Sequence, residues 1–125
     1  MIKLTYAIRK RPDLSDEAFR TYWRDHHGPF VANLAKTVGA TRYVQSQLLD
    51  TPINDVLRQS RGHQIKPFDG VTEIWWDSEE AFMAGNGSPE GLKAGEAFVT
   101  DEANFVDHAN SVSFITREHE VFNFA

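Results

Sequence analysis

Phe19-Arg20-Thr21-Tyr22-Trp23-Arg24-Asp25-His26-His27-Gly28-Pro29 brings three aromatics and two adjacent histidines into one helical pattern. Phe19, Tyr22, Trp23 and His26 fall at i, i+3, i+4 and i+7, the spacing that puts side chains on one face of a helix. His27 follows Trp23 by one turn and lies at the edge of the same stripe. Ser15 is placed to cap the helix, and Asp16 and Glu17 suit the positive end of its dipole. Gly28 is read as the stop, with Pro29 opening a second helix through Phe30-Val31-Ala32-Asn33-Leu34. Upstream, Ile2, Leu4, Tyr6 and Ile8 alternate with Lys3, Thr5, Ala7 and Arg9, a period-two strand. Downstream, Val38-Gly39-Ala40 breaks the second helix. Residues 41–49 then read as a strand with Tyr43, Gln45 and Gln47 on one face. The quoted stretch is therefore a helix joining two strands.

The rest of the chain repeats that order. Residues 50–69 are polar, carry Pro52, Gly62 and Pro67 without a sustained period, and read as a long loop in which His63 is solvent-exposed. Residues 71–76 form a third strand, with Val71, Glu73 and Trp75 on one face and Thr72, Ile74 and Trp76 on the other. Asp77-Ser78-Glu79-Glu80 starts a helix that Gly85-Asn86-Gly87 ends. Ser88-Pro89 caps another with Leu92, Gly95 and Phe98 along its interior, and Thr100-Asp101-Glu102 caps a last turn through Phe105. Residues 111–116 are the fourth strand and 117–124 an extended tail. This is an α+β chain, a ferredoxin-like βαββαβ unit with a four-stranded antiparallel sheet, expected to make residues 1–125 one domain. Because the strands carry apolar residues on both faces, pairing two such sheets in a homodimer would supply the missing cover.

Composition narrows the function classes. The formal charge of −5 gives no electrostatic case for a nucleic-acid partner, and Arg9-Lys10-Arg11 reads as a solvated strand end. The absence of cysteine excludes disulfides, thiolate metal sites and a cysteine nucleophile. Met1-Ile2-Lys3-Leu4 leads straight into the first strand and no long apolar run follows, so a cytoplasmic chain with no membrane partner is expected. Adjacent His26 and His27 cannot both ligate from one helix face, and neither a G-x-S-x-G turn nor a glycine-rich phosphate loop occurs. No metal or other cofactor is expected. Nine Phe, three Trp and three Tyr fit a core that also encloses an apolar cavity for a small hydrophobic or aromatic molecule.

Imidazole is the side chain best matched to proton transfer near neutral pH, which makes His27 the first catalytic candidate. Its bland alternative is a helix-end cap donating to the last carbonyls. His26, mid-stripe among aromatics, is either a satisfied core histidine or part of the substrate pocket with Trp23, Trp75 and His108. Glu73 stands in an otherwise apolar strand and must be paired or protonated. It is either a structural partner of Arg42 or another basic group, or a catalytic carboxylate. Tyr6 and Tyr43 could donate phenolic hydrogen bonds to a substrate carbonyl or developing oxyanion, or simply pack. Trp75 and Trp76 serve equally as core or dimer seam.

Ile2-Lys3-Leu4, Arg9-Lys10-Arg11-Pro12-x-Leu14-Ser15-x-Glu17-x-Phe19 and Tyr22-Trp23-x-x-x-His27-Gly28-Pro29 together resemble the EthD family of the dimeric α+β barrel superfamily. Arg42-Tyr43-Val44-Gln45, Phe68-Asp69-Gly70-x-x-Glu73-x-Trp75, Ser88-Pro89-Glu90-Gly91, Phe105-Val106-Asp107 and Glu118-His119 extend the resemblance over nearly the whole chain apart from residues 51–67. It implies a two-protomer barrel with a pocket between each sheet and its helices. Relatives include polyketide cyclases, dehydratases, lactone isomerases and cofactor-free or haem-using monooxygenases. His27 carries over from the motif. The position of His26 is usually apolar in the family, and that of Gln47 often carries His. The expectation is a cofactor-independent enzyme acting on a small aromatic, polyketide-like or lactone substrate, of dehydratase, cyclase or isomerase type. His27 would shuttle a proton, Tyr43 and Tyr6 would polarise a carbonyl, and Glu73 would orient them. The alternatives are an oxidoreductase of the monooxygenase type, or a non-catalytic accessory or ligand-binding protein of an ether- or aromatic-degradation pathway. Residues 76–82 resemble the superfamily's oxygenases, yet no histidine lies between Phe82 and Asp107 to serve as a proximal haem ligand.

Overall fold

Alternation along β1 (Ile2–Ile8) and β3 (Gly70–Trp76) builds the centre of the sheet, and β2 (Arg42–Gln47) and β4 (Val112–Thr116) form its edges in the order β2-β3-β1-β4. All neighbours are antiparallel in this computed structural model, which describes residues 1–125. The register sets Tyr6, Thr72 and Gln45 in one row across the sheet and Leu4, Ile74 and Tyr43 in the next. Because side chains alternate, these rows share the face that takes the helices. Lys3, Thr5, Glu73, Trp75 and Phe114 belong to the opposite face, which no helix of the chain covers.

Ser15 caps α1 (Asp16–Thr21), its side chain accepting the Ala18 N–H at 3.1 Å. The helix does not stop at Gly28 as expected. It runs through a π-helical turn, Tyr22–His27, into α2 (Gly28–Val38), and Gly28 sits at φ −55°, ψ −57° within it. Glycine permits a stop without forcing one. Pro29 supplies the reason for the wider turn: its ring clashes with a carbonyl four residues back in a regular α-helix. The Gly28 N–H instead reaches Trp23 O, five residues back. The true stop is Gly39, left-handed at φ 78°.

Two further boundaries correct the sequence reading. The stretch taken as a loop holds α3 (Ile53–Arg61), with Asp55 in its first turn and Arg58 and Arg61 in its last, matched to the dipole. Its apolar residues Ile53, Val56 and Leu57 are spaced for one face, but all stay exposed, so the segment reads as polar. After α4 (Glu79–Gly87, capped by Ser78), α5 (Pro89–Glu102, capped by Ser88) continues through Thr100-Asp101-Glu102, which therefore do not cap a separate turn.

The apolar interior divides into two buried groups. Ile8, Phe19, Trp23, Phe105 and Val106 pack at one end of the sheet, and Ile2, Val38, Trp76 and Ala94 at the other. Gly70 is required where the first group meets the sheet, because a Cβ there would fall on the Trp23 ring. Gly70→Ala is therefore expected to destabilise the fold by about 1–3 kcal/mol through overpacking. Gly95→Ala, in the interior of α5 with open space around its Cβ, should stabilise by about 0.5–1 kcal/mol. Chemical denaturation of the pair checks both signs.

Candidate active site

Between the two apolar groups lies a cavity of about 320 Å³, roofed by the helices and floored by the sheet. Leu4, Ile74, Val38, Trp76, Phe82 and Phe98 give it an apolar wall, while Tyr6, Thr72, Tyr43, Trp23, His27 and Glu102 supply polar groups, Tyr43 from the same strand row as Leu4 and Ile74. One small, mainly apolar chamber thus brings together His27, Glu102, Tyr6 and Tyr43.

His27 is delivered by the π-helical turn and is only 5% exposed. Its Nδ1 lies 2.6 Å from Asp101 Oδ2, and the other oxygen of Asp101 accepts a 2.6 Å hydrogen bond from the Tyr22 hydroxyl. Asn104 Nδ2 donates to that same hydroxyl at 3.1 Å. The imidazole packs against Phe105, ring centroids 4.9 Å apart. Burial holds the His27 pKa below its ordinary value, and the bond and charge of Asp101 only partly offset this. For Asp101 burial acts upward, but hydrogen bonds from Tyr22 and His27 outweigh it and keep the carboxylate ionised. The consistent state is a neutral imidazole with its proton on Nδ1, facing Asp101, and a free lone pair on Nε2, which makes no hydrogen bond within the chain.

Glu102 is a second titratable group lining the same cavity. Burial pushes its carboxyl up to about 7, a hydrogen bond from Tyr6 eases this, and the charge of Asp101 adds to it. The Tyr6 phenol is itself raised, by burial and then by Glu102, and its oxygen lies 3.1 Å from Nδ1 of the exposed His108. Tyr43 is raised by burial too. Gln45 Nε2 donates to the Tyr43 oxygen at 3.0 Å and to Trp23 O at 2.8 Å.

The structure thus brings together His27, Tyr43, Tyr6 and Trp23, and sets His108 beside Tyr6 at the rim. It does not bring in the others. His26 is exposed and stacks on Tyr22 at 5.0 Å, because the extra residue in the π turn rotates it outward. Glu73 lies on the helix-free face of the sheet, paired with Lys3 at 2.7 Å and not with Arg42. Trp75 shares that face, with the Arg42 guanidinium 4.6 Å from its ring and its N–H donated to Glu118. Strand alternation makes both placements unavoidable once Thr72 and Ile74 face the helices. Asp101 and Glu102 were missed by sequence reasoning. A signal was available: they follow Phe98 by three and four residues, on its interior face, and place two acids at the helix end where the dipole disfavours them.

Comparison with known proteins adds an independent line. The EthD domain model matches residues 11–109. A search of curated proteins gives no match. Among solved structures, an EthD family protein of Bacillus halodurans is similar at 18% identity, TM-score 0.62, over 95% of this chain and 99% of that one. A dimeric ferredoxin-like protein of unknown function from Bacteroides fragilis is similar at 9% identity, TM-score 0.57, over 94% and 95%. SnoaB, a cofactor-independent oxygenase of Streptomyces nogalater, is similar at 12% identity, TM-score 0.56, over 96% and 94%. At these identities the structures speak for the fold, and the fold is the ferredoxin-like one that the strand order gives. With the domain model spanning most of its length, the chain belongs to the EthD domain family.

Proposed function

We propose that this chain is a cofactor-independent enzyme that moves protons on a small, mainly apolar carbonyl compound held in the cavity. The observation that carries the reading is the Asp101–His27 pair, which leaves a neutral imidazole's Nε2 free beside an apolar chamber. Nε2 would take a proton from a carbon next to the carbonyl, and the bonding pair would move onto the carbonyl oxygen as an enolate. The Tyr43 hydroxyl would stabilise that oxygen. Glu102, whose carboxyl titrates at about 7, would return a proton to carbon in an isomerisation or to departing hydroxide in a dehydration. Tyr6 links Glu102 to His108 at the surface, a route for exchanging that proton with water.

A second reading shares the first step. An enolate or phenolate formed at His27 could be oxidised by dioxygen, a monooxygenase chemistry supported by the likeness to SnoaB, a cofactor-independent oxygenase. The homodimer belongs to both readings. The helix-free face of the sheet leaves Val112 and Phe114 47% and 48% exposed, and two of the similar structures are described as dimeric. A second copy set sheet to sheet would cover it.

Deuterium wash-in at the α-carbon of 1-indanone in D₂O, followed by proton NMR, tests the proton transfer directly. The wild-type chain should accelerate exchange over buffer, and His27→Ala should remove at least about tenfold of that rate. Asp101→Asn should also slow exchange and move its ascending pH limb lower, since Asp101 raises the His27 pKa. Binding without any exchange would leave the accessory, ligand-holding reading in possession, and oxygen uptake on product formation would select the oxygenase.

Glu102 makes a separate prediction for stability. Its folded value of about 7 exceeds the unfolded 4.5, so between these the folded chain holds a proton the unfolded chain has released. Stability falls as pH rises through that window. Glu102→Gln should therefore gain on wild type in urea denaturation at about pH 8 relative to pH 4.5. An advantage equal at both would mean the carboxyl is not held protonated. For the dimer, Phe114→Asp should shift the scattering mass from twice 14.2 kDa toward the single chain.

A further inference from the structure

Gln45 bridges the Trp23 carbonyl of the helical turn and the Tyr43 hydroxyl of the sheet. The Trp23 carbonyl can only accept, so the Gln45 group 2.8 Å from it is the amide nitrogen, and this fixes the flip of the amide. The same nitrogen lies 3.0 Å from the Tyr43 oxygen, which commits its second hydrogen there. Tyr43 is thus held as an acceptor toward Gln45. Trp23 Nε1–H stands near the same oxygen, fully buried and without a hydrogen-bond partner of its own, and the Thr72 hydroxyl is a further neighbouring donor. Neither the Gln45 amide nitrogen nor the Trp23 N–H can accept, so the phenol turns its own proton away from both, toward the Thr72 hydroxyl or the cavity that it lines. No cation sits among these groups to neutralise an acid. Arg42, at the rim, has its guanidinium over Trp75 on the other side of the sheet.

We propose that Gln45 is a positioning residue that turns the Tyr43 hydroxyl into a dedicated donor, so that the cavity binds an acceptor oxygen. The matching ligand is an uncharged molecule whose apolar body packs against the wall of Leu4 and Phe98 and whose ketone, enone or lactone carbonyl meets Tyr43. Bonded also to the Trp23 carbonyl, Gln45 ties this donor to the helical turn that carries His27, which sets the distance between the bound oxygen and the base. The inference rests on reading the cavity as a ligand site.

The test compares 1-indanone with indane, the same body without the oxygen, on the full chain. Affinity is read from quenching of tryptophan fluorescence, and the bound ketone's carbonyl stretch from infrared difference spectra. Wild type should hold indanone roughly tenfold more tightly than indane, with the stretch moved to lower frequency. Gln45→Met should keep the affinity for indane, which certifies an intact cavity, while losing most of the preference and of the frequency shift. Tyr43→Phe should abolish both and provides a second variant should Gln45→Met fail to fold. If wild type binds the two probes equally, or Gln45→Met keeps the full shift, the donor site is overturned and the cavity reading survives. If neither probe binds wild type, the cavity reading falls and takes this inference with it.

Discussion

Between Trp23 and Gly28 the helical hydrogen bond spans five residues instead of four, and the carbonyl at its acceptor end also accepts a hydrogen bond from a strand side chain, Gln45. That doubly bonded carbonyl is the joint on which the site turns. It allows one helix to pass Pro29 without ending, rotates His26 to the surface, and leaves His27 directed inward at Asp101. A regular α-helix over the same residues would present a different histidine to the interior. π turns persist where something outside the helix stabilises them, and here the sheet does so.

The cavity exists because the two apolar groups do not meet. Trp23, Phe19 and Phe105 fill one end and Trp76, Val38 and Ala94 the other, and the side chains between them, Tyr43 and Ile74 among them, line the space without closing it. Filling that gap would add stability, since each buried methylene contributes about 0.8 kcal/mol. The chain instead keeps polar groups there, including one tryptophan N–H with no partner. Buried polar atoms are tolerated when hydrogen-bonded and costly when not, so their concentration in one chamber is a departure from simple core packing. Sacrificed packing and orphaned polarity in the same place are what a ligand site requires before its ligand arrives.

Much of this was legible from the residues. Strand alternation grouped Tyr43 with Gln45 and Thr72 with Ile74 within their strands, and Ser15, Ser78 and Ser88 marked helix starts by the one mechanism that makes serine useful there. His27 was legible through its motif. Other parts were not, for reasons that are physical. Periodicity assumes a fixed number of residues per turn, so a π turn assigns His26 and His27 to the wrong sides. Hydrophobic patterning reports burial, and α3 buries nothing, so its helix was invisible beneath a polar composition. Glu73 looked catalytic because a carboxylate in an apolar strand attracts notice, but its face of the sheet is served by Lys3. Asp101 and Glu102 look like an ordinary polar helix end until the fold turns that end over the cavity.

The two acids also explain how one small chamber can hold a base and an acid at the same pH. Asp101 and Glu102 are adjacent in sequence, yet their surroundings drive them apart. Asp101 gains two hydrogen-bond donors, Tyr22 and His27, and stays ionised. Glu102 is more deeply buried, with Tyr6 as its partner, and is pushed up to about 7. The ionised member disfavours ionisation of its neighbour and favours a charge on His27, so its single negative charge raises both remaining groups together. Burial opposes that for the imidazole and reinforces it for the carboxyl. The imidazole is held toward its neutral form and the carboxyl is held partly protonated near neutral pH. A pair prepared in this way would take a proton at one point of a ligand and give one at another with imidazolium and carboxylate formed together. The summed charge of the pair then does not change, and an uncompensated buried charge is the costly alternative.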